Sequence, residues 1–141
     1  MRKVRQMKAF MLGGAALIAA AIAGPALSRP ALTGQQRLDK ELAGYTAGTP
    51  VRCIDYGLVR SSEIIPGVGI LYNYSGRRKY LNVPKSGKNW LRWDTIPVTT
   101  LYGGQLCRID SVRLIDRGTR MQSGFVILED FIPYTKAKQA P

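Results

Sequence analysis

The stretch GVGILYNYSGRRKYLNV, residues 67–83, decides the fold class. In Val68-Ile70-Tyr72 every second residue is apolar, which places all three on one face of a pleated strand. Ser75-Gly76-Arg77-Arg78 follows, with Gly76 able to supply a positive φ, and apolar residues resume at Tyr80. Two such runs joined by a short glycine-containing connection read as a β-hairpin.

Downstream and upstream of the hairpin the pattern repeats. Short strand-like runs at 51–55, 67–74, 79–83, 90–93, 97–101, 106–109, 111–115 and 124–128 are separated by Gly, Pro and Ser. Val112-Leu114 and Val126-Leu128 alternate as the hairpin does. No long helical periodicity follows residue 50. The expected fold is mainly β, a small antiparallel barrel or sandwich. Residues 29–50 differ, being polar and rich in small residues. There Thr33 can cap one short helix over residues 34–42, with Leu38 and Leu42 on one face and Gly44 and Gly48-Thr49-Pro50 ending the pattern. The domain itself is expected over 51–134, with a disordered tail at 135–141. Cys53-Ile54-Asp55 and Cys107-Arg108-Ile109-Asp110 echo each other, but at unequal spacing from the following Val-Arg pairs, which reads as coincidence.

The N-terminus carries a compartment signal. Residues 1–8 hold Arg2, Lys3, Arg5 and Lys8 and no acid, and residues 9–23 are uncharged. Gly24-Pro25 and Ala26-Leu27-Ser28 follow, with small residues at −3 and −1 of a cut after Ser28; a cut after Ala23 is the alternative. This three-part layout is that of a secretory signal peptide. The run is too short and too alanine-rich for a spanning helix, which needs about 20 apolar residues. The expected product is periplasmic or secreted, with no transmembrane segment after cleavage. Removing 28 of the 141 residues leaves 113, enough for one domain. Of 21 Lys and Arg, 4 leave with the leader, and all 9 acidic residues stay, so the mature net charge is +8. Basicity of this size favours anionic partners. For an exported protein those are anionic lipid, lipopolysaccharide or acidic polysaccharide.

Only two cysteines occur, Cys53 and Cys107. An even count in an oxidising compartment argues for one disulfide. Closing so long a loop is worth about 4 kcal/mol in chain entropy.

Catalytic signatures are missing from the sequence. There is no histidine, which removes the commonest general base and metal ligand. Asp55 lies two residues from Cys53 and Asp110 three from Cys107, so on regular strands joined by a bridge the two carboxylates diverge. They read as turn or edge residues. Gly67-Val68-Gly69 has Tyr72 in place of the third glycine of a dinucleotide fingerprint, and Ser86-Gly87-Lys88-Asn89 lacks the leading glycine and the hydroxyl of a phosphate loop. Glu129-Asp130 is too sparse for a calcium cage. The expectation is a protein that is not an enzyme and takes no cofactor or metal. The one suggestive constellation is basic and aromatic: Arg77, Arg78, Lys79, Lys85 and Lys88 as candidate anion-binding residues, with Arg92 beyond them, interleaved with Tyr72, Tyr74, Tyr80, Trp90 and Trp93. Cations beside aromatic faces suit phosphates and bases, and equally lipid head groups or acidic glycans; nucleic acid is the least favoured partner. The competing reading is that the aromatics fill a small core and the charged turn keeps an edge from pairing.

The runs CID…VRSSEII, ILY, YLNVP, GGQLCRID with VRLID, and GFVILEDFIPY, over most of residues 50–134, resemble a family of small exported proteobacterial proteins. That family's pattern looks like C-I-D…R-S…I-I, then Q-L-C-x-x-D, then G-F-V-x-L-x-x-F-V-P-Y. The resemblance implies a signal peptide and one domain with a two-cysteine framework, and transfers no catalytic residue. The chain departs from it at Tyr102-Gly103-Gly104 and in the charges of Arg77 to Lys79. Two functions are therefore expected: binding of an anionic envelope component through the basic face, or a protein-interaction module such as an inhibitor or accessory of an envelope enzyme. Exposed strand edges motivate the second.

Overall fold

The computed structural model describes residues 30–137; the expected leader, residues 1–28, lies outside them. The fold is mainly β, as the alternation implies. The described residues form one α-helix, α1 (Gly34–Glu41), and ten antiparallel strands in three sheets. The strands are β1 (Tyr45–Ala47), β2 (Cys53–Asp55), β3 (Val59–Ile65), β4 (Gly69–Tyr74), β5 (Arg78–Asn82), β6 (Thr95–Thr99), β7 (Gln105–Cys107), β8 (Ser111–Asp116), β9 (Gln122–Ile127) and β10 (Phe131–Lys136). A five-stranded sheet runs β1-β10-β5-β4-β3, a three-stranded sheet β6-β8-β9, and β2 and β7 form a two-stranded ribbon. No sheet closes on itself, so the arrangement is sandwich-like rather than a barrel.

The expected hairpin is β4–β5. Tyr72 pairs with Tyr80 and Tyr74 with Arg78, leaving Ser75-Gly76-Arg77 as the connection. Gly76 has φ +71°, the left-handed conformation foreseen for it, and Arg77 shares it at φ +58°. Alternation along this pair creates two cores. Ile70, Tyr72 and Tyr80, with Phe131 of β10, face inward against Val112, Leu114 and Val126 of the three-stranded sheet and Ile54 and Leu106 of the ribbon. Leu71 and Leu81, with Ile65, face outward against Leu38 of α1. The central strands are therefore covered on both sides. At about 25 cal/mol per Å², burial on both faces makes this hairpin the most strongly anchored part of the sheet.

Helix α1 begins where Thr33 places it. The Thr33 hydroxyl accepts from the Gln36 backbone N–H, and the Gln36 side chain accepts from the Thr33 N–H, a reciprocal capping box. The cysteines pair as cross-strand neighbours, Cys53 opposite Cys107, and are joined at an S–S distance of 2.07 Å across 54 positions.

Four expectations need correction. Residues 90–93 are no strand: Lys88–Trp90 forms a 3-10 turn, and the Trp90 ring lies against Gly124, where a Cβ would come within 2.7 Å of it. Strands β1, β3 and β10 were not foreseen. The sheet reaches back to Tyr45, inside the segment assigned only a helix. Thr135 and Lys136, assigned to a disordered tail, pair with Tyr45 and Thr46 as the end of β10; residues 138–141 lie outside the described residues.

Candidate anion-binding site

The five cations expected to share one face are distributed over three places. Arg77 and Arg78 sit at the β4–β5 turn, both exposed. The Arg77 guanidinium reaches the Ala137 carbonyl at 3.4 Å, and that of Arg78 the Tyr80 hydroxyl at 3.4 Å. Lys79, one residue on, points to the opposite face of the pleat. Its ammonium donates to the Glu41 carboxylate and to the Glu41 carbonyl, both at 2.9 Å, and lies 5.2 Å from the Tyr45 ring centre. A cation at the last carbonyls of a helix offsets the negative end of its dipole. Lys79 thus ties α1 to the sheet and is not free for a ligand. Lys85 and Lys88 lie past the other end of β5. At about 3.3 Å per residue, the strand alone separates Arg78 from Asn82 by about 13 Å. There the Lys85 N–H bonds the Ile127 carbonyl and Lys88 opens the 3-10 turn.

Strand pairing adds two cations that sequence distance concealed. Tyr74 pairs with Val59, and the register slips at Arg60, so exposed Arg60 stands at the same end of the sheet as the turn. Thr135 pairs with Arg78, and the Lys136 N–H bonds the Arg77 carbonyl at 3.1 Å. Arg60, Arg77, Arg78 and Lys136 therefore crowd one sheet end from the start of β3, the β4–β5 turn and the end of β10. None of the four takes part in an ion pair among the described residues, whereas Arg37, Lys79, Arg92 and Arg108 all do. Beside them Tyr74 packs edge-on to Tyr80 at 4.9 Å. Burial first, and the neighbouring Tyr80 next, hold the Tyr74 phenol above its ordinary pKa, so it stays a neutral donor.

The aromatics divide differently. Tyr72 and Tyr80 are buried in the inner core, and Trp90 covers Gly124. They offer no row of stacking faces beside the arginines. Trp90 is 48% exposed and Trp93 75%, and Trp93 with Leu32, Pro66, Arg37 and Lys40 lines an open cleft of about 460 Å³ at α1. Arg37 is engaged there by Glu63 at 2.6 Å.

The carboxylates do local work. Asp55 accepts from the Gly57 N–H at 2.9 Å and Asp110 from the Cys107 N–H at 2.7 Å, so each holds a turn. Among the described residues no three His, Cys, Asp or Glu side chains converge as metal ligands, and no helix is long and apolar enough to cross a membrane. Compared with known proteins, the chain matches no family model, no curated protein and no solved structure. The geometry alone speaks to function.

Proposed function

We propose that the protein is an exported, non-catalytic domain that binds an anionic envelope component, a lipid phosphate or acidic polysaccharide, through the turn end of its five-stranded sheet. One observation carries the reading: four cations from three separate chain segments, Arg60, Arg77, Arg78 and Lys136, meet at one end, and among the described residues no carboxylate pairs with any of them. Like charges held together repel, so a fold gains nothing from gathering them. A polyanion bound there relieves that repulsion and releases counterions. The leader-like N-terminus and the disulfide both support an oxidising compartment outside the cytoplasm.

Retention on a sulfated-dextran column as a function of salt tests this. The parent protein should elute late and lose affinity steeply as salt rises. An Arg60→Gln, Arg77→Gln, Arg78→Gln variant should elute at roughly half the salt, while Lys88→Gln should change elution little. Affinity that is indifferent to ionic strength, or equal losses in both variants, would refute the turn-end site.

A further inference from the structure

The three-stranded sheet has one face too many. Its inner residues, Val112, Leu114 and Val126, are fully buried and complete the core. The residues between them face out, and they too are largely apolar. Across the strands Val98 stands beside Arg113 and Arg113 beside Phe125, while Ile127 flanks Ser111. Phe125 is 54% exposed and Ile127 also reaches solvent. Two turns extend this face. Tyr102, 85% exposed, lines a depression with Val98, Arg113 and Asp110, whose carboxylate accepts from the Cys107 N–H and forms no ion pair with Arg113. Ile109, 83% exposed, lines the next one with Ile127, Lys85 and Arg108. No core requirement explains these side chains, and contiguous apolar surface of this kind marks a contact.

We propose that this face docks the protein on an anionic phospholipid bilayer, with Tyr102, Ile109 and Phe125 entering the headgroup layer. Three observations select a bilayer over other occupants. The most exposed apolar groups of this surface, Tyr102 and Ile109, are on turns, where they project beyond the sheet instead of extending a flat plate for another sheet. Cations are set among them: Arg113 between Val98 and Phe125, and Lys85 at the Ile109 margin, neither in an ion pair among the described residues. Arg108 is partly offset by Asp130 and Glu129, which leaves Arg113 and Lys85 to attract lipid phosphates. A second copy related by a two-fold axis would set the same patch against itself, bringing Arg113 onto apolar side chains or its own equivalent. At a bilayer its long stem lies along the apolar groups while the guanidinium reaches the phosphates. The surface shares no residue with the turn end and goes beyond the function proposed for it.

Vesicle binding and depth-dependent quenching test the proposal, using protein recovered from the exporting cell. Vesicles of phosphatidylcholine with phosphatidylglycerol should bind the protein, and pure phosphatidylcholine vesicles at least tenfold more weakly. In an Ile109→Trp variant, lipids brominated on the acyl chain should quench fluorescence beyond the level that Trp90 and Trp93 give in the parent. Ile109→Ser with Phe125→Ser should cost about tenfold or more in partitioning while leaving elution from sulfated dextran unchanged. Quenching that survives in the Arg60, Arg77, Arg78 variant separates this face from the turn end. Undiminished partitioning of the double serine variant, no added quenching, or a dimer that hides the face in sedimentation would overturn it; loss confined to the turn-end variant would overturn it too and leave the turn-end function standing.

Discussion

Asn82 is wholly buried, and its amide grips one residue twice. It donates to the Glu129 carbonyl and accepts from the Glu129 N–H at 3.3 Å, fixing the chain between β9 and β10. Asn82→Ala would leave both half-buried backbone groups of Glu129 without their partner, at about 1–3 kcal/mol for each group left unsatisfied. Urea unfolding should show a loss of about 2 kcal/mol or more. Tyr72 is its converse. It is buried as deeply, but its hydroxyl has no hydrogen-bond partner among the described residues, and burial pushes the phenol far above its ordinary range. Tyr72→Phe should therefore leave stability unchanged or raise it. The ring was legible from the Val68-Ile70-Tyr72 alternation. Asn82 was not, because an amide in a strand reads as a solvent residue until the loop that it holds is known.

At the scale of elements, pattern was readable where one force dominated. The capping box announced α1, and Gly76 announced the turn. The alternation at Ile70 and Tyr72 showed one buried face of β4; Leu71 on the other face is buried only because an eight-residue helix lies over it. Strand β3 begins Val-Arg-Ser-Ser-Glu, too polar for a strand signal, since Arg60 and Ser61 on this sheet edge are exposed. Strand β10 carries Pro133, which ordinarily demotes a strand. Missing both meant missing Arg60 and Lys136, and so half of the candidate site. The β8–β9 connection makes a separate prediction. The Asp116 carboxylate accepts from the Gly118 N–H at 2.9 Å, the Thr119 N–H at 2.7 Å and the Thr119 hydroxyl at 3.0 Å. Those bonds from Thr119, then Gly118, lower its pKa. A depressed folded-state pKa stabilises above the unfolded value and is lost as pH falls through the folded one. Melting curves of the parent and Asp116→Asn should therefore differ at neutral pH and converge in acid; a gap constant with pH would exclude a charged-carboxylate role.

For the whole molecule, the bridge was legible and the distribution of charge was not. Two cysteines leave one pairing, whereas the net charge says nothing of which cations the carboxylates cancel. Reducing Cys53–Cys107 should remove about 4 kcal/mol, a large part of the stability of a domain this size. Thermal unfolding with and without reductant should differ by roughly 20 °C; equal midpoints would show that the sheets hold without it. The bridge also encloses β3 through β6 and the exposed β4–β5 turn. A protease that nicks the backbone at Arg77 thus releases no fragment. The severed pieces migrate as one species on a non-reducing gel and part only when thiol is added, so a cleaved protein outlives its own cleavage.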